Sequence, residues 1–93
     1  MRIVYSQHLQ RRLAERQFPS GYPRKVVETS KLKFFDNATG HWIAISKLKY
    51  ANKLRSLAVS YDIIGETIEI ITILPITDGD IQRRRIIKRW QKK

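Results

Sequence analysis

Apolar residues recur along this chain with two different periods, and the change of period divides it. Leu9 and Leu13 lie four apart in a run of good helix formers, so residues 7 to about 17 are predicted to form a helix with both leucines turned to a core. Ser6 suits the N-cap, because its hydroxyl can accept from a free amide of the first turn. His8, Arg12 and Arg16 follow the i, i+4, i+8 spacing and make a polar stripe beside the leucines. The segment "FPSGYP" stops this helix. Pro23 opens a second one, expected to reach about Ser30 with Val26 and Val27 inward. A short apolar start, "RIVYS", reads as a strand ahead of both.

The second half alternates with period two. "LKFF" is followed by the hairpin-like loop "DNATG" and by "HWIAISKL". Then come "LRSLAVSYD", the turn "IIGE" and "TIEIITIL". Leu57, Val59 and Tyr61 alternate with Ser56, Ala58 and Ser60, giving one bulky face and one small face of the kind a closely packed helix needs. "IEIITIL" is apolar at both parities, which suits a central strand covered on both faces for part of its length. Pro75 ends it. Asp78 or Asp80 can cap a last helix, in which Ile86 and Trp90 are i, i+4 with Ile87 beside them. These three residues are expected to pin that helix for about three turns. The order is β-α-α-β-β-β-β-α. The fold class is α+β: one domain over residues 1–93, with two N-terminal helices on one face of an antiparallel sheet of three to five strands, and a basic C-terminal helix.

Charge changes the picture more than length does. Nineteen Lys and Arg against eight acids give a formal +11, and residues 82–93 hold seven cations and no acid. Such a surface attracts polyanions, so nucleic acid is the first partner to consider and an acidic protein the second. A merely solubilising surface is the bland alternative. The absence of cysteine removes disulfides, thiolate zinc sites and cysteine nucleophiles. No apolar run has the length of a membrane span and the N-terminus lacks a signal-peptide core, so a soluble cytoplasmic protein without membrane contact is expected.

No phosphate-binding loop, dinucleotide fingerprint or paired-histidine metal motif is present, and no metal or other cofactor is expected. Cations, two histidines and several tyrosines remain. RNA carries its own nucleophile, the ribose 2′-hydroxyl, and can be cleaved without metal if that hydroxyl is oriented, the phosphate charge is stabilised and protons are moved. The residue types fit those tasks. Catalytic candidates are Arg55, Tyr61, His8, His41, Arg83 and Arg85. Arg12, Arg16, Lys47, Arg84, Lys88 and Arg89 are candidates for binding the nucleic-acid backbone. Each has a plainer alternative: His8 as a surface or capping side chain, Tyr61 as a core ring, Trp90 as a helix anchor. Arg83 or Arg85 is expected to share a cleft with Arg55.

The stretches "HLQRRLAERQFP", "FFDNATGHWIAISKLKY", "RSLAVSYD", "IEIITILPI" and "RRRIIKRW" together resemble the RelE/ParE superfamily of small bacterial toxins, most closely its BrnT-like relatives. The resemblance covers most of the chain through short patterns. It implies a toxin paired with a cognate antitoxin protein, and metal-independent cleavage of messenger RNA, in some members on the ribosome. It also implies that His8, Arg55, Tyr61 and a C-terminal Arg line the active cleft. The ParE branch acts on DNA gyrase instead, so inhibition of a protein target is the alternative, with a non-catalytic nucleic-acid-binding module as a third reading. The last helix here carries no histidine, unlike members that use one there as proton donor.

The charge generates a first prediction. RNA affinity should fall about 100-fold between about 50 and 200 mM salt if roughly four phosphates are neutralised, as counterion release requires. Reversing the charges of Arg84 and Lys88 should weaken binding more than reversing a lone lysine elsewhere. Filter binding across a salt series measures both.

Overall fold

A computed structural model of the chain describes residues 1–16 and 18–93; the helix end expected near Gln17 lies outside the described residues. Strand β1 (Arg2–Tyr5) leads into helices α1 (Gln7–Arg16) and α2 (Tyr22–Thr29). Strands β2 (Leu32–Asp36), β3 (Trp42–Tyr50), β4 (Lys53–Ile64) and β5 (Thr67–Pro75) then form a meander. Helix α3 (Asp78–Ile86) and strand β6 (Trp90–Lys92) close the chain. Among the described residues the sheet has six strands in the order β1-β5-β4-β3-β2-β6, and only the β1–β5 pair is parallel. The α+β class is as expected, but the sheet is larger than the three to five strands anticipated and is not wholly antiparallel.

Local chemistry sets the boundaries. The Ser6 hydroxyl accepts from Leu9 N at 3.0 Å and caps α1. Pro23 sits in the first turn of α2, where its missing N–H costs nothing. Gly40 and Gly65 adopt φ of 78° and 60° in the turns that close the β2–β3 and β4–β5 hairpins. At the β3–β4 turn, Ala51 and Asn52 both take positive φ, the signature of a two-residue hairpin turn.

The sheet separates two cores. On one face α1 and α2 bury Leu9, Leu13, Val26 and Val27 against Leu57, Val59, Tyr61, Ile70 and Ile73. Phe34, Ile43, Ile45, Ala58, Ile76, Ile81 and Trp90 form a smaller core on the other face, beneath α3. The alternation along β4 sends Leu57, Val59 and Tyr61 to the first core and Ala58 to the second. The double parity of "IEIITIL" also has a cause. Ser60 pairs with Thr72 and Tyr61 with Ile70, so Ile71 is the extra residue of a β-bulge. The bulge lets Ile70 and Ile73, three apart, enter the same core.

The C-terminal segment departs from expectation. Thr77, not Asp78 or Asp80, is the N-cap of α3, and Asp80 completes a capping box by accepting from the Thr77 backbone. The helix ends at Ile86 rather than continuing to Trp90. Lys88 N donates to Arg85 O and Arg89 N to Arg84 O, both at 3.0 Å, with Lys88 at φ 61°. This is a Schellman stop with lysine in the left-handed position that glycine usually fills. Ile86 and Ile87 are exposed and anchor nothing. Trp90 does anchor, but from a strand: it is buried and stacks on Phe34 with ring centroids 5.4 Å apart. Its i, i+4 spacing from Ile86 was a helical reading of residues that turn back as β6.

Lys88 strains the stop, because a Cβ disfavours the left-handed region. Lys88→Gly should therefore leave stability unchanged or raise it by about 0.5–1 kcal/mol, whereas Lys88→Val should lower it by more than that. Urea unfolding of the two variants measures the difference.

Candidate functional site

The small face of β4 leaves space that α3 only partly covers. A groove of about 320 Å³ lies there. Ile43, Ala58 and Ile76 contribute apolar floor, Ser60 and Thr72 contribute hydroxyls, and Arg84, Arg89 and Trp90 form one wall. Asp36, Thr39 and His41 complete the lining at the β2–β3 turn. The Ser60 and Thr72 hydroxyls hydrogen-bond to each other across the β4–β5 ladder, next to the bulge.

At this end of the groove His41 Nδ1 lies 2.6 Å from Asp62 Oδ1. A carboxylate only accepts, so Nδ1 carries the proton, and in the neutral ring Nε2 is then the lone pair. Nε2 has no partner among the described residues. His41 immediately precedes β3 and Asp62 lies on β4, each one step beyond the Trp42–Tyr61 pair, so sheet register brings them together. Ser60 is bonded to Thr72 rather than to the histidine, so the three residues do not form the chain of contacts a serine nucleophile needs.

The wall is set by a second carboxylate. Asp36 is buried, and Arg89 donates to it from Nε at 3.0 Å and from Nη2 at 3.1 Å. Ala38 N adds a third donor at 2.9 Å. Burial pushes the Asp36 carboxyl up, but the Arg89 hydrogen bonds, the Ala38 amide and the guanidinium charge outweigh it and hold the pKa at about 2. The charge of Arg89 is thus offset inside the fold. Trp90 Nε1 lies toward the same carboxylate outside hydrogen-bond geometry, and among the described residues it is the buried side-chain polar atom left without a partner. Arg84 is different: its guanidinium stands 5.1 Å from the Trp90 ring centroid and has no carboxylate partner among the described residues.

The expected site residues are scattered. His41, Arg84 and Arg89 meet in the groove. Arg55 lies in a separate depression with Lys53, Leu54 and Thr77, so it does not share a cleft with Arg83 or Arg85. Arg83 is paired with Asp80 at 2.8 Å, and Arg85 stands 5.7 Å from the Phe34 ring centroid. Tyr61 is buried in the helix-side core, where desolvation pushes its phenol up from 10.0. His8, Arg12 and Arg16 do form one stripe, along Thr72, Ile73 and Leu74 of β5. Lys47 lines another depression with Lys31 and Asp78, and Lys88 serves the Schellman stop.

Asp62, Ser60 and Thr72 were missed by sequence reasoning. A signal for Asp62 existed: a two-residue turn at Ala51–Asn52 places His41 opposite it across the hairpin.

The ion pair yields a pH prediction. The folded pKa of Asp36 is depressed, so its contribution is present above the ordinary value of 3.8 and is lost as pH falls toward about 2. The loss should be on the order of 1–2 kcal/mol, discounted because the guanidinium is partly exposed. Asp36→Asn should be less stable at neutral pH and show a flatter acid limb, which chemical unfolding at several pH values measures. No family model matches this chain, and no curated protein or solved structure shows significant similarity to it.

Proposed function

We propose that this protein is a metal-independent endoribonuclease, the toxin of a toxin–antitoxin pair, acting on messenger RNA in the cytoplasm. One observation carries the reading: His41, oriented by Asp62, lines the same groove as the unpaired cation Arg84. The resemblance of its sequence stretches and element order to the RelE/ParE superfamily supports it as an analogy of fold. The formal charge of +11 supplies attraction for a polyanion, and the ion pairs among the described residues neutralise only a few of the cations.

The chemistry follows from the groups present. A splayed base rests on the apolar floor over Ala58, and Ser60 and Thr72 can meet its polar edge. His41 Nε2 takes the proton of the ribose 2′-hydroxyl. The oxygen then forms a bond to phosphorus as the bond to the 5′-oxygen breaks. Arg84 stabilises the charge that builds on the phosphoryl oxygens. The 5′-oxygen leaves with a proton returned by the imidazolium or by water, so the products are a 2′,3′-cyclic phosphate and a 5′-hydroxyl.

The test is cleavage of single-stranded RNA in EDTA, with and without ribosomes, and with a 2′-deoxy substrate as control. His41→Ala and Arg84→Ala should each lower the rate about 100-fold while leaving the fold intact by circular dichroism. Asp62→Asn should lower it less and shift the pH profile of kcat. A metal requirement, cleavage of the 2′-deoxy substrate, or full activity in Arg84→Ala would overturn the mechanism. Growth arrest on expression without any RNA cleavage would favour a toxin that inhibits a protein target.

A further inference from the structure

Ile86 and Ile87 are 74% and 65% exposed at the C-terminal end of α3. Neither packs in either core. The Schellman stop that follows them uses backbone groups only, so it needs no isoleucine at either position. Five cations flank the pair, Arg83, Arg84 and Arg85 before it and Lys88 and Arg89 after it, and of these Arg84, Arg85 and Lys88 have no carboxylate partner among the described residues. Two adjacent aliphatic side chains are thus held in water inside a positive field.

That combination discriminates among occupants. RNA gains from the cations but offers little to an aliphatic side chain, since its bases reward stacking on flat rings and its backbone rewards charge. A second copy of this chain would bring +11 against +11. A polypeptide that presents both carboxylates and aliphatic side chains satisfies both features. We propose that the end of α3 docks an acidic, leucine- or isoleucine-bearing segment of a partner protein, with Ile86 and Ile87 as its apolar contacts. Arg84 lies within one turn of the pair and lines the groove, so the docked segment also takes up the groove's unpaired cation. Partner and RNA then exclude one another, each weakening the other's binding by the same factor. The inference rests on the part of the preceding reading that gives the chain a protein partner, and not on cleavage.

Two helical peptides of equal negative charge serve as probes: one has leucine at i, i+3, i+4 and i+7 with glutamate elsewhere, the other has serine in place of each leucine. The parent protein should bind the leucine peptide about tenfold or more tightly than the serine peptide, measured by fluorescence anisotropy. That preference should vanish in the double variant Ile86→Ser, Ile87→Ser and in the pair Ile86→Thr, Ile87→Thr, which keeps the β-branch. Both variants should keep the parent's thermal midpoint and RNA affinity, and the leucine peptide should displace RNA from the parent. Equal binding of the two peptides, or a preference that survives both substitutions, overturns the proposal. So does a loss of RNA affinity in the variants, which would assign the isoleucines to nucleic acid. Partitioning into phosphatidylglycerol vesicles that needs Ile86 and Ile87, without peptide discrimination, would assign them to a lipid surface and equally overturn it. Absence of ribonuclease activity in the parent would sink the catalytic reading alone.

Discussion

The return of the chain after α3 depends on one buried carboxylate. Asp36 sits at the end of β2, where it shapes the β2–β3 turn through Ala38 N and receives both guanidinium donors of Arg89. An unpaired charge at that depth would cost several kcal/mol, so Arg89 must come to it. Bringing Arg89 there brings Trp90 onto Phe34 and aligns β6 with β2. These contacts erect one wall of the groove. They also explain why two arginines of a very basic segment differ in kind, since Arg89 is neutralised within the fold and Arg84 is left to the groove.

Much of the architecture was legible because each local signal agreed with the global fold. Ser6, Pro23, Gly40 and Gly65 mark element ends through stereochemistry that tertiary structure did not override. The alternation along β4 identified two faces, and the two cores use them as written. The C-terminal segment was misread for a definite reason. Lysine is a good helix former and gives no hint of a left-handed residue, so "RRRIIKRW" scans as one helix. The residue after the stop, Arg89, is held from a distance, by the Asp36 carboxylate more than fifty positions earlier in the chain. The bulge at Ile71 was equally invisible, since one extra apolar residue looks like a strand covered on both faces.

The groove was only partly legible. His41 and Arg84 were named, but their convergence depends on strand register and on the helix stop together. Arg55 looked compelling because a charge among apolar neighbours suggests a cleft. It lies instead toward the β3–β4 hairpin end of its strand, where the sheet opens to solvent. Tyr61 looked polar enough to serve chemistry, yet its place in the bulky alternation sends it to the helix-side core. A sequence lists side-chain types well; the partition of those side chains between two faces is decided by the bulge and the turns.

The sheet order has a consequence for how the molecule is made. The first strand pairs with β5, and the last strand pairs with β2, so both outer pairings join residues far apart in sequence. Such contacts carry a loop-closure penalty before they bring any gain, and they tend to form late in folding. During synthesis the β2–β5 meander can assemble while α3 and β6 are still being added. Arg89 and Trp90 follow that meander in sequence and are translated after it. The groove therefore has no completed wall until β6 has emerged, and a copy that still lacks this strand carries the His41–Asp62 pair without the surface that faces it.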